Sequence, residues 1–118
     1  NSKGGTFDFA SSNELWRASL DVIDFMPLSS VNYSGGIIIT DWYSDENNQN
    51  ESIKISIRFL TNEIRSDALD IKIFTRKCKN NLMSCNVIET NKVLITELKK
   101  EMLKKAALYE SQKKKKKK

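Results

Sequence analysis

The chain has 118 residues, of which 39% are hydrophobic and 30% are charged, and these values are ordinary for one soluble globular domain. Its net charge of +5 comes from a final run of six lysines, since the remainder carries a net charge of −1. The body therefore lacks the concentrated basic charge of a typical nucleic-acid-binding domain, and nucleic acid is not the expected partner. No run of 18 or more apolar residues offers a candidate membrane-spanning helix.

The chain begins with a polar segment, residues 1–10, that is expected to be a flexible tether. Ser11 and Glu14 have the spacing of a capping box, which predicts that a helix begins near Ser12. Apolar residues then recur at helical spacing as far as Pro27, whose ring disfavours the helical conformation at the residue before it. The sequence therefore predicts an N-terminal helix that ends before this proline.

Four or five strands are expected after the first helix. The clearest is residues 52–60, where apolar and polar residues alternate as in a strand with one buried and one wet face. The polar, asparagine-rich residues 45–51 before it are predicted to form a loop. The other predicted strands are 28–33, 37–43, 69–73 and 86–90.

From Asn91 the apolar period becomes helical and predicts an amphipathic helix of about five turns that covers a sheet. The expected fold class is α+β, an antiparallel four- to five-stranded meander with an N-terminal and a C-terminal helix packed on one face. One domain is expected over residues 11–110, followed by a disordered basic tail at 111–118. The alternative for this tail is a weak electrostatic grip on anionic membrane or nucleic acid.

The two cysteines, Cys78 and Cys85, are separated by six residues. Metal sites usually need four ligands, and the chain has no histidine, so neither a metal nor another cofactor is expected. The pair can close a hairpin loop as a disulfide in an oxidising compartment. The alternative is two free thiols.

The residues that carry chemistry point to binding rather than catalysis. Without histidine, Ser-His-Asp and Cys-His arrangements are impossible, and no phosphate-binding or dinucleotide motif is present. Large aromatic residues beside charged ones are favoured at interfaces, and the candidate binding residues of this kind are Trp16, Arg17, Asp41, Trp42 and Tyr43. In the alternative, the aromatic residues near position 42 fill the edge of the core. Asp41 then forms an ion pair with Arg17 or Arg65.

Two sequence blocks carry a family resemblance, LWRASLDVIDFMPL at residues 15–28 and SGGIIITDWYS at 34–44. Together with IRSDAL at 64–69 they resemble an uncharacterised bacterial envelope family, domain of unknown function family 3576, over about residues 13–110. The lysine tail and the cysteine pair depart from the family's pattern. The resemblance implies an exported protein, often made with a lipoprotein-type signal, to which no activity is attached. The residues that it marks are Trp16, Arg17, Asp24, Pro27, Gly35, Gly36, Asp41, Trp42 and Tyr43.

The first residue is Asn rather than Met, which is consistent with a removed export signal. The resulting hypothesis is a non-enzymatic periplasmic lipoprotein, anchored to the outer membrane through its N-terminus, that binds another envelope protein. The partner is expected on the open sheet face or on an edge strand, where it would add a strand of its own. The alternative function is binding of nucleic acid or an anionic membrane through the lysine tail.

Overall fold

The computed structural model describes residues 13–79, 84–89 and 92–116. In this part of the chain two α-helices flank six β-strands, and one turn of 3₁₀-helix at Ser66–Ala68 leads into the fifth strand. The predicted tether and Ser11 of the predicted capping box lie outside the described residues. The elements are α1 (Glu14–Val22), β1 (Leu28–Asn32), β2 (Ile37–Thr40), β3 (Tyr43–Asp45), β4 (Asn48–Phe59), β5 (Leu69–Cys78), β6 (Cys85–Glu89) and α2 (Lys92–Lys116).

The first helix begins at an asparagine cap. Asn13 Oδ1 accepts a hydrogen bond from the Trp16 N–H at 3.1 Å, which satisfies one of the free donors of the first turn. The helix ends at Val22, and the Ile23 N–H then bonds the Ser19 carbonyl at 3.2 Å. This helix stops before Pro27, as the sequence predicts, and its buried residues are Leu15, Trp16, Ala18 and Ser19.

The described strands form one antiparallel sheet. Its order is β1-β2-β4-β5-β6, and β3 pairs with β4 beyond the point where β2 stops. The longest ladder joins β4 to β5, from Glu51 opposite Lys77 to Phe59 opposite Leu69. β2 and β3 lie one after the other along the same side of β4, and the remaining neighbours follow one another along the chain, so the topology is a meander. The predicted α+β class, with an antiparallel sheet and two terminal helices, is confirmed.

The predicted loop at residues 45–51 is instead a tight hairpin. β3 ends at Asp45, which pairs with Asn48 at the start of β4. Asp45 Oδ1 accepts a hydrogen bond from the Asn47 N–H at 3.1 Å, an Asx turn of the kind that aspartate favours. Because only two residues make the turn, β4 begins four residues earlier than its apolar alternation indicates.

The hydrophobic core lies between the sheet and the two helices. β4 and β5 contribute alternate residues to it, and each fully buried isoleucine contributes roughly 1.5–3 kcal/mol to stability. All described side chains of this core are at most 9% exposed; its central members include Trp16, Ile55, Ile57, Ile71, Ile73, Leu98 and Met102. Both helices cover this one face, and no other described element covers the opposite face of the sheet.

The last helix is longer than predicted and includes residues expected in the tail. It has 25 residues, and Lys113 Nζ lies 3.4 Å from Glu14 Oε1 in the first turn of α1. Lys114 pairs with Glu110 one turn earlier, at 3.6 Å. Since lysine is a good helix former, a helix already packed on the sheet continues through the run. The predicted disorder is therefore wrong for residues 111–116.

Candidate functional site

A β-bulge between β2 and β3 turns Trp42 towards the uncovered side of the sheet. β2 pairs with β4 as far as Ile39, opposite Ser56, and β3 resumes pairing at Tyr43, opposite Ile53. Three residues thus lie opposite two, which defines a bulge. The extra residue shifts the alternation of side chains. Tyr43 therefore packs against the core, and Trp42 faces away from it.

The bulge is held by two hydrogen bonds at its centre. The buried Thr40 Oγ1 accepts from the Ile55 backbone N–H at 2.9 Å, where a strand carbonyl would otherwise accept. The Asp41 N–H donates to the Pro27 carbonyl, also at 2.9 Å. Both backbone donors are satisfied, as buried backbone requires. The direction of the Trp42 side chain is thus fixed by paired backbone and not by a free loop.

Trp42 contacts two cations on the uncovered face. The guanidinium carbon of Arg76 is 4.6 Å from the centroid of the Trp42 ring, and Lys54 Nζ is 5.7 Å from it. Both distances are within the range of cation–π contacts. Arg76 Nε also donates to Ser52 Oγ at 3.2 Å, and Ser52 is only 4% exposed. These four residues are called the Trp42 cluster below.

The open face, meaning the side of the sheet opposite the helices, carries an excess of positive charge. Strand register places four cations and two carboxylates on this side. Within the described part of the chain, none of the four cations forms an ion pair with a carboxylate. The cations are Lys54, Arg58, Lys72 and Arg76, and the carboxylates are Asp70 and Glu89.

Trp16, the first predicted binding residue, is a core residue. It is 5% exposed, and its ring centroid lies 4.9 Å from that of Tyr33 and 5.0 Å from that of Phe59. The contact with Tyr33 is edge-on, a favoured geometry for aromatic pairs. The structure therefore corrects the prediction that Trp16 offers an accessible surface, because a partner cannot reach a side chain buried between helix and sheet.

Asp41 and Tyr43 adjoin the Trp42 cluster in sequence but do not extend it. Asp41 is exposed, and the described residues give it no ion pair with Arg17 or Arg65. Arg65 instead binds two carboxylates of its own loop, at 2.7 and 2.8 Å. The Tyr43 ring meets the Phe25 ring edge-on on the helix side of the sheet. The five predicted residues thus occupy several places, and within the described residues only Trp42 among them contacts the cations of the open face.

Arg17 belongs to a second polar cluster, which joins the two helices. Its guanidinium carbon lies 4.0 Å from the centroid of the Tyr109 ring. The Tyr109 hydroxyl donates a hydrogen bond to the Asp21 carboxylate. This hydrogen bond raises the pKa of Tyr109 above its usual 10.0, partial burial and the Asp21 charge raise it further, and Arg17 opposes the shift. The cluster therefore stabilises the neutral phenol.

A spectroscopic titration tests this second cluster. The neutral phenol is favoured in the folded state, so its stabilising effect is complete below pH about 10 and is lost as the pH rises through the raised pKa. The difference in phenolate absorbance between the parent protein and Tyr109→Phe should have a midpoint above 10. Asp21→Asn, which removes the charge, should lower that midpoint. A midpoint at or below 10 in the parent would contradict the geometry.

Cys78 and Cys85 form a disulfide, one of the two alternatives that the sequence leaves open. They pair directly across the β5–β6 ladder, with their Cα atoms 4.0 Å apart. The Lys79 N–H donates to the Ser84 carbonyl at 2.9 Å just beyond them. The disulfide therefore fixes one end of β6, an edge strand of the sheet.

The described residues lack two further features. They contain no group of three or more His, Cys, Asp or Glu side chains arranged to hold a metal ion. Among the helices that they form, none combines the length and apolarity needed to cross a membrane.

Comparison with known proteins assigns the chain to a family. A family model for a domain of unknown function, DUF3576, matches residues 9–111. The chain belongs to the DUF3576 family. An uncharacterised protein of Rickettsia prowazekii (strain Madrid E) is 41% identical to it over 83 residues, which are 70% of this chain and 50% of that protein. The chain thus spans about half the length of this relative. No solved structure matches the chain.

The sequence pointed to Trp42 of this DUF3576 domain but not to the residues around it. Arg76 and Ser52 lie far from Trp42 along the chain and reach it only through strand pairing. The available signal was the alternation of β4, which already placed Lys54 on a wet face. The bulge that brings Trp42 onto that same face leaves no mark in the alternation of apolar residues.

Proposed function

We propose that this DUF3576 chain is a non-enzymatic domain of the bacterial cell envelope that binds another envelope protein through its open face. The observation that carries the proposal is the Trp42 cluster, in which a half-buried tryptophan and an oriented arginine lie on the uncovered face of the sheet. Tryptophan and arginine are the residues most enriched at the energetic centres of protein interfaces. The chain has no histidine, and the cluster has no nucleophile beside a general base.

The disulfide supports a location in the periplasm. Disulfides persist in oxidising compartments and are rare where thiols are kept reduced. The family resemblance supports an N-terminal lipid anchor in the outer membrane. Fractionation of the native protein tests both statements: recovery in the outer-membrane pellet with an acylated N-terminus supports them, and recovery from the cytoplasm with two free thiols rejects them.

Binding through the open face is tested with a matched pair of aromatic substitutions. Immobilised protein is incubated with a bacterial envelope extract, and retained proteins are identified and quantified. Trp42→Ala should reduce retention of the specific partner by about tenfold or more, as expected for an interface anchor. Phe25→Ala is the control, because Phe25 is exposed on the helix side of the sheet. Equal retention by a folded Trp42→Ala protein would reject the open face as the binding surface.

Binding of an anionic surface through the lysine run remains the alternative. Its support is the sequence of six lysines, which would give an affinity that falls steeply with salt. Lys113 and Lys114 each pair with a glutamate of the chain, so part of that charge is already used. Deleting residues 113–118 separates the two functions, since only the alternative requires them.

A further inference from the structure

Arg76 is held in place from two sides before any partner binds. Its Nε donates to the buried Ser52 Oγ at 3.2 Å, and its guanidinium carbon lies over the Trp42 ring, 4.6 Å from the ring centroid. Arginine on a flexible side chain normally loses much of its rotational freedom when it binds a ligand. Here the fold has already restricted that freedom, so the cost of binding is reduced.

The terminal nitrogens of Arg76 keep their hydrogen-bonding capacity. A guanidinium carries five N–H donors, and the Ser52 contact uses the one on Nε. Within the described residues, neither terminal nitrogen makes a hydrogen bond or ion pair. Two donors in one plane can form two parallel hydrogen bonds with a carboxylate or a phosphate. Arg76 is therefore an oriented receptor for an oxyanion.

The surroundings of Arg76 favour an acidic peptide over a phosphate polymer. Apolar side chains adjoin the cations of the open face, since register puts Phe74 between Lys72 and Arg76 and opposite Lys54, and puts Ile37 opposite Arg58. Side chains on one face of an extended peptide repeat at about 7 Å, the same spacing as the sheet's own. A protein that makes about 6–10 contacts to nucleic-acid phosphates needs more cations than the four on the open face. An acidic segment with interspersed apolar residues complements both the cations and the apolar side chains of the open face.

We propose that the open face binds an extended acidic segment of the partner protein, and that Arg76 receives one of its carboxylates while Trp42 and Lys54 flank it. This inference rests on the proposed function and adds to it the chemical class of the segment that binds. The cation–π contact with Trp42 and the hydrogen bond to Ser52 together restrict the position of the guanidinium. Lysine at position 76 would keep the charge but lose the paired donors.

A pair of synthetic peptides tests the charge requirement with the whole chain. One peptide alternates glutamate and valine, the other alternates glutamine and valine, and both are capped and fluorescently labelled. The parent protein should bind the glutamate peptide about tenfold or more tightly than the glutamine peptide, because only the former offers charge-assisted hydrogen bonds. Equal affinity for the two peptides overturns the proposal.

Three arginine variants then locate the binding residue. Arg76→Gln should weaken binding of the glutamate peptide about tenfold or more, and Arg76→Lys should restore only part of that loss. Arg65→Gln is the matched control and should leave the affinity unchanged, because Arg65 already binds Glu63 and Asp67 in its own loop. Unchanged affinity in Arg76→Gln overturns the proposal.

The same variants separate failure of this inference from failure of the proposed function. If an oligothymidylate or a phosphatidylglycerol vesicle binds more tightly than the glutamate peptide and loses binding in Arg76→Gln, the oxyanion is a phosphate and the acidic segment is rejected. If the envelope partner is lost in Trp42→Ala but retained in Arg76→Gln, the proposed function stands and this inference falls. If both variants retain the partner, the open face is rejected for both.

Discussion

Replacing Trp16 with alanine should lower the free energy of unfolding by about 3–5 kcal/mol, the range for truncating a buried tryptophan. Trp16 is 5% exposed and contacts the rings of Tyr33 and Phe59. Removing its indole leaves a cavity where α1 meets the sheet, and the neighbouring rings cannot fill it without leaving their own contacts. Urea denaturation followed by circular dichroism measures the loss.

The second tryptophan provides the control for this prediction. Trp42 is half-buried on the open face and contacts mainly Arg76 and Lys54. Trp42→Ala should therefore cost at most about 2 kcal/mol, since a partly exposed cation–π contact is worth about 0.5–1 kcal/mol. Trp16→Phe keeps an aromatic ring and remains measurable if the alanine variant does not fold. A larger loss for Trp42→Ala than for Trp16→Ala would contradict the assignment of the two faces.

The strands that the sequence predicted well are those in which burial alternates. In β4 the residues from Ile53 onward alternate between core and solvent, and the predicted strand began near that point. Residues 48–50 at the start of β4 are exposed, so composition indicated a loop there. Their strand conformation comes from pairing with β3 across the two-residue turn after Asp45. Strand pairing of this kind is tertiary information that a local pattern does not contain.

The end of the last helix was mispredicted because composition and propensity conflict there. A run of like charges is typical of disorder, whereas lysine itself favours helix. The chain remains helical as far as Lys116 because upstream residues such as Met102 already anchor the helix to the core. The contact between Lys113 and Glu14 adds a link to α1 that no local pattern could indicate.

The candidate site was only partly predictable for a related reason. The sequence grouped Asp41, Trp42 and Tyr43 because they are adjacent, but adjacent residues on a strand face opposite sides of the sheet. The bulge then determines which of them faces solvent, and Trp42 meets Arg76 through the β3–β4 and β4–β5 pairings. The aromatic member of the site was therefore visible in the sequence, and its cationic members were not.

Loss of the Cys78–Cys85 disulfide should lower the free energy of unfolding by about 2–3 kcal/mol. The bond closes a short loop with a sequence separation of 7, and closing a loop of that size in the unfolded chain accounts for an effect of this magnitude. The effect should be local as well as global. β6 pairs with β5 on one side only, and its Val87 is 54% exposed, so little else holds this edge strand. Hydrogen exchange should show the largest loss of protection at the β6 amides.

The double substitution Cys78→Ser with Cys85→Ser separates this effect from a general effect of reductant. The parent protein should lose stability when reduced, and the double variant should have the lower stability with or without reductant. Protection at the β4–β5 ladder should fall by no more than the global loss of stability, because its nine residue pairs lie next to the core and open only when the whole domain unfolds. Equal stability of the oxidised parent and the double variant would mean that pairing with β5 alone holds β6. The disulfide would then confer no stability that depends on an oxidising compartment.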